Sequence, residues 1–322
     1  GSPKVKVLLK HLHLQKRIAL SATIKRQYDD EGNKIIEKAF NSSHPYTYKF
    51  PMSKAIKEGV LCQYDYFPHF VRLTEQENEE YAQISKELLK YFDFETSRFK
   101  DSEYVQMLLI KRKRIIHKAH QKLSVFSEIL QGHHKKKQTL DYTFVYVPEG
   151  DYESDESEGT NILDEFIGVF EEHFPSYRAH AFTGESENRE ATMSHFQQGF
   201  ISALFSMKCL DEGVDIPRTE LAIFCSSSGN PRQFIQRRGR VLRQHKDKSL
   251  AIIHDMVVLP AAPLDPQTFK FERKLLKDEI LRVVYFASLA RNYSSVMNLF
   301  EPLCEQYQID LYGLQEQIEE FQ

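Results

Sequence analysis

The stretch ISALFSMKCLDEGVDIPRTELAIFC (residues 201–225) places a polar loop between two short apolar runs, ISALFSM (201–207) and LAIFC (221–225). Runs of this kind, apolar on both faces, are typical of strands buried in a parallel sheet. Three more apolar runs lie at 141–147, 177–182 and 250–254. Helical patterns alternate with the runs at about 162–173, 188–199 and 231–243. This alternation predicts an α/β fold, a parallel sheet with crossover helices, whose ligands bind beyond the carboxyl ends of the strands.

The composition is that of a soluble globular chain, since 41% of the 322 residues are hydrophobic and 28% are charged. The sequence has no apolar stretch as long as a membrane span. Its four cysteines are scattered and form no C-x-x-C pair, which indicates reduced core thiols and an intracellular protein. The formal net charge is −3, so any site for a polyanion must be a local basic patch.

An arginine cluster within FIQRRGRVLRQHKDK (234–248) is the first candidate site. Pro231 opens the predicted helix. The spacings of Gln236, Arg240 and Arg243 predict that these side chains share one face. A guanidinium fork donates two hydrogen bonds to a phosphate and stays charged at any working pH. The pattern predicts a phosphate site, and the alternative is an exposed basic helix without a ligand.

The loop CLDEGVDIP (209–217) is the second candidate site, because it directly follows an apolar strand. Its Asp-Glu pair could belong to a Walker B magnesium site, but the chain contains no G-x-x-x-x-G-K-[ST] phosphate loop. Gly213 and Pro217 instead indicate a shaped loop that presents Asp215, whose carboxylate can accept hydrogen bonds from ribose hydroxyls. The alternative is an ordinary strand–loop turn with an N-capping carboxylate.

Three segments in this order resemble motifs of superfamily 2 helicases. LSAT (20–23) resembles motif III, CLDEGVDIP resembles motif V, and QRRGRVLR (236–243) resembles motif VI. TFVYVP (143–148) is similar to motif IV, and FTGESENRE (182–190) to the segment after it. The resemblance covers residues 16–255 and is closest to the DNA-directed branch of repair helicases and restriction-enzyme motors. It implies a RecA-like sheet with flanking helices, a helical insertion and a helical C-terminal tail.

In these motors ATP lies between two RecA-like domains, and the second domain supplies arginine fingers. The resemblance implies that Arg240 and Arg243 are the fingers and that Gln236 lies near the γ-phosphate. It gives Arg238 no role, because the family varies at that position. The remaining implied site residues are Gly213, Asp215 and Arg237 for ATP, Ser21 and Thr23 for coupling, and Thr183, Gly184, Arg189 and Lys208 for nucleic acid.

The resemblance also implies what lies outside this chain. ATP and Mg²⁺ would be bound mainly by the missing first RecA-like domain of the same parent protein, so the fragment alone would be inactive. The expected partner is DNA, because EGVD (212–215) replaces the Arg-Gly-x-Asp of DEAD-box RNA helicases. The alternatives are an RNA helicase fragment and a non-catalytic nucleic-acid-binding or regulatory module. We expect no membrane partner and a cytoplasmic location, associated with the nucleoid when bound to DNA.

The predicted domains follow from these motifs. Residues 1–60 are the end of the first RecA-like domain, and 61–138 are a connecting segment with a helical insertion. Residues 139–262 are the second RecA-like domain, the helicase C-terminal domain, and 263–322 are a helical tail.

Local patterns predict the elements of the insertion. Thr74 and Glu77 form a capping box that begins a helix. A second helix covers about 102–130 and is stopped by Gly132, which makes HHKKK (133–137) a polar linker.

Two further segments have local predictions. The basic run KRKRIIHKAHQK (111–122) is either a second phosphate site or a solvated helix face. DDEGNK (29–34) is predicted to be a turn.

Overall fold

The computed structural model describes residues 16, 18–20, 30–43, 48–93, 95–96, 98–151, 161–184, 186, 188–207, 216, 218–226, 231–259 and 266–319. The chain divides into two units, residues 1–55 and 56–322. In none of these described stretches is a helix both long enough and apolar enough to cross a membrane.

The N-terminal part of the chain corrects one prediction. Helix α1 (Asp30–Phe40) covers nearly all of the predicted turn at 29–34. The turn prediction is wrong because Ile35, Ile36 and Phe40 recur at helical spacing, and this outweighs the turn preference of the glycine and asparagine. The short helix α2 (Met52–Lys57) follows.

One parallel sheet organises residues 56–322, as the apolar runs predict. In the described chain its strands are β1 (Gln63–Arg72), β4 (Thr143–Tyr146), β5 (Ala179–Ala181), β6 (Ala203–Ser206), β7 (Leu221–Phe224) and β8 (Leu250–Leu259). Their order across the sheet is β1-β8-β7-β4-β6-β5, and every neighbouring pair is parallel. β4, β6 and β7 are buried at every position, which is the pattern of strands covered on both faces.

Helices cover the sheet and extend beyond it. They are α3 (Glu75–Leu89), α4 (Glu103–His117), α5 (Gln121–Lys137), α6 (Ile162–His173), α7 (Arg189–Gln198), α8 (Pro231–Val241), α9 (Pro266–Ala287), α10 (Tyr293–Gln306) and α11 (Leu311–Glu319). A two-residue antiparallel pair, β2 (Phe92–Asp93) and β3 (Arg98–Phe99), joins α3 to α4. The α/β fold with a helical insertion and a helical tail is confirmed.

Strand β1 lies at the edge of the sheet, in register with β8 from Gln63 opposite Leu250 to Arg72 opposite Leu259. An edge position accommodates Pro68, which has no N–H to donate. On its other side, the backbone of Tyr66 exchanges hydrogen bonds with the Asn292 side chain, at 2.9 and 2.8 Å. The predicted domain boundaries stay predictions, but this segment belongs to the same sheet as the strands of 139–262.

The predicted helix over 102–130 is two helices. The capping box of Thr74 and Glu77 is present as predicted. The break between α4 and α5 needs no glycine, because the second oxygen of the Glu77 carboxylate accepts the backbone N–H of His120 at 2.9 Å, and Ala119 is fully buried. The stop at Gly132 is also wrong, since α5 continues through it to Lys137 and ends at left-handed Gln138.

Buried charges hold the tail to the rest of the unit. Asp255 of β8 accepts a hydrogen bond from Tyr66 Oη at 2.7 Å and pairs with Arg282 of α9. Arg282 also pairs with Glu279 at 2.8 Å. Asp255 and Arg282 are almost completely buried, so each charge depends on its partner, and not on water, for compensation. The tail is therefore an integral part of this unit.

A second buried ion pair joins the insertion to the tail. Arg112 Nη2 of α4 lies 2.8 Å from Glu272 Oε1 of α9, and both side chains are more than nine-tenths buried. Tyr81 of α3 donates its hydroxyl proton to Glu272 Oε2 at 2.8 Å, and its ring lies 4.5 Å from the Arg112 guanidinium. Burial raises the pKa of Glu272, and Arg112 opposes that shift. Three helices thus meet at one desolvated charge pair.

Three histidines lie together where α5 covers β1 and β8. His69 Nε2 and His254 Nδ1 are 2.7 Å apart, and the ring of His133 lies 6.2 Å from that of His254. Burial lowers the pKa of His69 and of His133 to about 4 each, and nearby Lys137 adds to the shift at His133. Burial, with His69 next to it, also lowers the pKa of His254 well below its ordinary value. All three are therefore neutral in the folded protein at pH 7.

We expect the histidine cluster to make stability fall as the pH drops. Below about pH 6.5 these histidines bind protons in the unfolded chain but stay neutral in the folded protein. Their contribution to the free energy of unfolding is therefore fully present above that pH and is lost as the pH falls towards 4. Thermal melts should give a Tm roughly 5 °C lower at pH 5.0 than at pH 7.5. His254→Gln should shrink this difference, and His180→Gln, at an exposed position, should keep it. An equal drop in the wild type and in His254→Gln would contradict the assignment.

Breaking the ion pair between insertion and tail should be costly. Glu272→Leu leaves the buried Arg112 guanidinium without its carboxylate, and we expect the free energy of unfolding in urea to fall by about 3 kcal/mol. The double variant Arg112→Met/Glu272→Leu should regain part of that loss, because no unpaired charge remains buried. Glu301→Leu, at an exposed position in the same tail, is the control and should change little. A double variant as unstable as Glu272→Leu would show that pairing is not the origin of the effect.

Candidate functional site

Helix α8 carries the arginine cluster, and its side chains differ in how deeply they are buried. Gln236 and Arg240 are half-buried, whereas Arg237 and Arg238 are 5% and 0% exposed. Residues four apart on a helix lie on the same face, so Gln236 and Arg240 share one side, and Arg238 points away from it. The predicted pairing of Gln236 with Arg240 on one face is therefore present.

The Arg238 side chain is completely buried and contacts two other elements of the fold. Its Nη1 donates to the carbonyl oxygen of Tyr285 at 2.7 Å and lies 3.3 Å from Tyr64 Oη. Its guanidinium lies 4.2 Å from the centre of the Tyr285 ring and 5.4 Å from that of Phe286. Sequence reasoning gave this residue no role, and the structure makes it the contact between α8, β1 and the end of α9.

Arg237 also turns inward. Its guanidinium lies 4.9 Å from the centre of the Tyr146 ring at the end of β4, and Nη1 donates to the carbonyl oxygen of Ser226 at 3.4 Å. Tyr146 is the last residue of β4 and Ser226 lies just after the neighbouring strand β7, so both are at the carboxyl edge of the sheet. Arg237 thus lies at the predicted ligand edge, and what it binds there stays a prediction.

Arg243 lies two residues beyond the last helical residue, Val241, and is half-buried. Its position comes from a β-bridge to Leu61 and from neighbouring bonds, since the N–H of Cys62 donates to the carbonyl of Leu242 at 2.8 Å. Helical spacing with Gln236 and Arg240 therefore does not by itself place Arg243.

Lys248 holds the same turn from inside. This side chain is 4% exposed, and Nζ donates to the carbonyl oxygens of Val241 and, at 3.0 Å, of Arg243. An ammonium at the end of a helix satisfies carbonyls that have no partner within the helix. Burial lowers the pKa of Lys248, and the adjacent thiol of Cys62 opposes the shift. Sequence reasoning missed this residue because nothing in HKDK marks one lysine as buried.

The predicted nucleic-acid residues of the segment after β5 lie together. The N–H of Thr183 donates to Ser186 Oγ at 2.8 Å, which fixes the turn that contains the exposed Gly184. The Arg189 guanidinium, at the start of α7, lies 4.9 Å from the centre of the Phe182 ring. Arg189 Nη2 is buried and has no hydrogen-bond partner within the described residues. The structure brings Thr183, Gly184 and Arg189 to one place.

Several predicted site residues lie outside the described residues. They are Ser21, Thr23, Lys208, Gly213 and Asp215. Their roles in coupling, in nucleic-acid contact and in ribose binding stay predictions from the resemblance.

The basic run at 111–122 is not one continuous cationic surface. Arg112 is paired with Glu272, and Lys122 is fully buried and donates to the carbonyl of His117 at 2.7 Å. Only part of the run is therefore available to a phosphate backbone. The exposed cations of helix α4 are Lys111, Lys113 and Arg114.

Comparison with known proteins gives one family match. Residues 121–245 match the model of the helicase conserved C-terminal domain. This range contains helices α5 to α8, of which α8 is the arginine helix, and it also includes Arg243.

The chain is also similar to two named motors. It is 23% identical over 277 residues to the ATP-dependent DNA helicase fml1 of Schizosaccharomyces pombe, which covers 82% of this chain and 30% of that protein. It is 39% identical over 69 residues to the DNA 3'-5' translocase XPB2 of Sulfurisphaera tokodaii, which covers 21% of this chain and 16% of that protein. The chain thus spans less than a third of the length of these relatives.

Among solved structures, the helicase domain of Pyrococcus furiosus Hef aligns with a TM-score of 0.42 and 14% identity, over 71% of this chain and 62% of that one. Residues 121–245 are similar to the helicase conserved C-terminal domain, which is what the resemblance of motifs IV, V and VI predicts for this part of the chain.

Proposed function

We propose that this chain supplies the second RecA-like half of an ATP-dependent DNA helicase or translocase. The observation that carries the proposal is the division of helix α8, which keeps Gln236 and Arg240 on its accessible side and buries Arg237 and Arg238. An amide and a guanidinium on the accessible face match the oxygens of a phosphate ligand, and an exposed basic helix without a ligand is the alternative. DNA is favoured because fml1 and XPB2 are named as a DNA helicase and a DNA translocase.

The residues present fit the polyphosphate end of a nucleotide. Arg240 and Arg243 each offer a planar fork that matches phosphate oxygens. Arginines in this role stabilise the charge that spreads over a transferring phosphoryl group, and Gln236 would orient the γ-phosphate region. Among the described residues no group of three or more His, Cys, Asp or Glu side chains could hold a metal ion. From the family resemblance, we assign Mg²⁺ and most ATP contacts to a first RecA-like domain of the parent protein.

The nucleic-acid surface would include the turn at Thr183 and Gly184, with Arg189 beside it and Lys208 after β6. Backbone N–H groups, hydroxyls and cations are the usual partners of phosphate oxygens. The exposed cations Lys111, Lys113 and Arg114 of α4 would add a second contact on the insertion.

The second contact is testable because the chain offers two basic triplets. Replacing Lys111, Lys113 and Arg114 by glutamine should weaken binding to single-stranded DNA, measured by fluorescence anisotropy. The slope of log K against log salt concentration should also become shallower by about 0.7 for each lost phosphate contact. The matched control replaces the exposed Lys135, Lys136 and Lys137 by glutamine, which removes the same charge from α5. If both triple variants lose the same DNA affinity, the effect comes from net charge alone. If the first triple variant loses no affinity, the exposed cations of α4 only face solvent.

The arginine fingers are tested in the parent protein, which holds both RecA-like domains. Arg240→Ala or Arg243→Ala should lower DNA-stimulated ATP turnover by about 10³-fold, with a much smaller loss of ATP binding, because these side chains act on charge that develops in the transition state. Lysine should restore little, since it lacks the fork. Lys246→Ala, at an exposed cation just beyond the helix, should be near normal. Near-normal turnover in both alanine variants would refute the proposal and favour a non-catalytic nucleic-acid-binding module.

A further inference from the structure

The helical tail contacts the arginine helix through an aromatic cluster. Besides Arg238, helix α8 contributes Phe234, whose ring lies 5.4 Å from that of Tyr285 and 5.8 Å from that of Phe286. Tyr64 of β1 closes the cluster, because its hydroxyl donates to the carbonyl oxygen of Phe286. The cluster therefore joins α8 and β1 to the last turn of α9.

The guanidinium of Arg238 is the polar centre of this cluster. It is fully buried, and Nε and Nη2 have no hydrogen-bond partner among the described residues. Nη1 alone makes the two polar contacts, with the Tyr285 carbonyl and with Tyr64. A charge so desolvated is costly unless its ring and carbonyl neighbours stay in place. The geometry therefore ties the rotation of α8 about its axis to the position of α9.

Rotation of α8 decides where its open face points. Gln236 and Arg240 are two residues to either side of Arg238, and a helix transmits the orientation of one residue rigidly to its neighbours within a turn. Reactive geometry is sensitive to displacements of about 1 Å. A small change in how Arg238 is seated would therefore move the side chains assigned to the nucleotide.

We propose that Arg238 is a positioning residue that seats the arginine helix on the end of α9, so that the helical tail sets the orientation of Gln236 and Arg240. This inference rests on the proposed function of those two residues. It gives the tail, which carries no recognised motif, a part in ATP turnover without any contact to the nucleotide.

The experiment measures DNA-stimulated ATP hydrolysis of the parent protein together with its Tm. Arg238→Met removes the charge and keeps an apolar stem, and Tyr285→Leu removes the ring and leaves the carbonyl that Arg238 binds. Each variant should lower kcat by roughly 10- to 100-fold, with the KM for ATP within about twofold of the wild type. Arg238→Lys should restore little, because an ammonium does not stack as a planar guanidinium does.

The matched control lies in the same tail. Tyr307 is 6% exposed and stacks on Phe269 at 5.7 Å, so Tyr307→Leu destabilises the tail without altering the Arg238 cluster. It should lower Tm and leave kcat near normal at a temperature where the variant stays folded. If Arg238→Met does not fold, Tyr285→Leu decides.

Two outcomes overturn the inference. Normal kcat in Tyr285→Leu and in folded Arg238→Met, with turnover lost in Arg240→Ala and Arg243→Ala, would refute the positioning role and leave the proposed function intact. A fall in kcat that Tyr307→Leu reproduces at equal loss of Tm would reduce Arg238 to a stabilising residue. Normal turnover in the Arg240 and Arg243 variants would refute the proposed function itself.

Discussion

The interaction on which this part of the structure depends is the burial of one guanidinium, that of Arg238, among Tyr64, Tyr285 and Phe286. An arginine is rarely buried completely, because water solvates its five donors better than most interiors do. Here aromatic faces and a carbonyl oxygen replace part of that solvation. The rings and the carbonyl come from α9, and the Tyr64 hydroxyl comes from β1, so the edge strand, the arginine helix and the tail must assemble together before Arg238 has all of these contacts.

Two other buried charge pairs constrain the tail in the same way. Asp255 with Arg282, and Glu272 with Arg112, each join a tail residue to a residue from an earlier part of the chain. Such pairs are weak evidence for extra stability, because desolvation offsets much of their attraction. They are stronger as constraints on geometry, since a tail docked elsewhere would leave charges buried without partners. The position of the tail is thus fixed mainly by the free-energy penalty of burying these charges without their partners.

Sequence patterns predicted the elements whose signals are local. The strands of the sheet are short runs buried on both faces, and the box of Thr74 and Glu77 needs only its own turn. One failure has a distant cause, because the break between α4 and α5 depends on a carboxylate 43 residues earlier. The failure at 30–40 is local, because a turn signal concealed the helical spacing of the apolar residues. The pairing of β1 with β8 joins segments nearly 190 residues apart, as the partners Gln63 and Leu250 show, and no local pattern encodes it.

The candidate site shows the same limit at the level of single residues. Motif spacing identified Gln236 and Arg240 and placed Thr183, Gly184 and Arg189 in one region, because those relations lie within one helix or one turn. Spacing could not separate Arg237 and Arg238 from Arg240, since all are arginines and only their surroundings differ. The alternating aromatic segment of β1 was the available signal, because Tyr64 and Tyr66 on one face require buried polar partners.

The two faces of α8 are linked by the geometry of the helix itself. Each residue advances by about 100° around the axis. The buried anchor at Arg238 therefore fixes where Gln236 and Arg240 point, and a shift of one residue in the buried contact would turn that open face by the same angle. Arg243, beyond the helix, needs its own supports, and Lys248 with the bridge to Leu61 supplies them. The two arginines assigned to the nucleotide are thus held by two separate sets of buried contacts, one from the tail and one from the start of the edge strand. That separation explains why the chain keeps a buried lysine and a buried arginine within eleven residues of sequence.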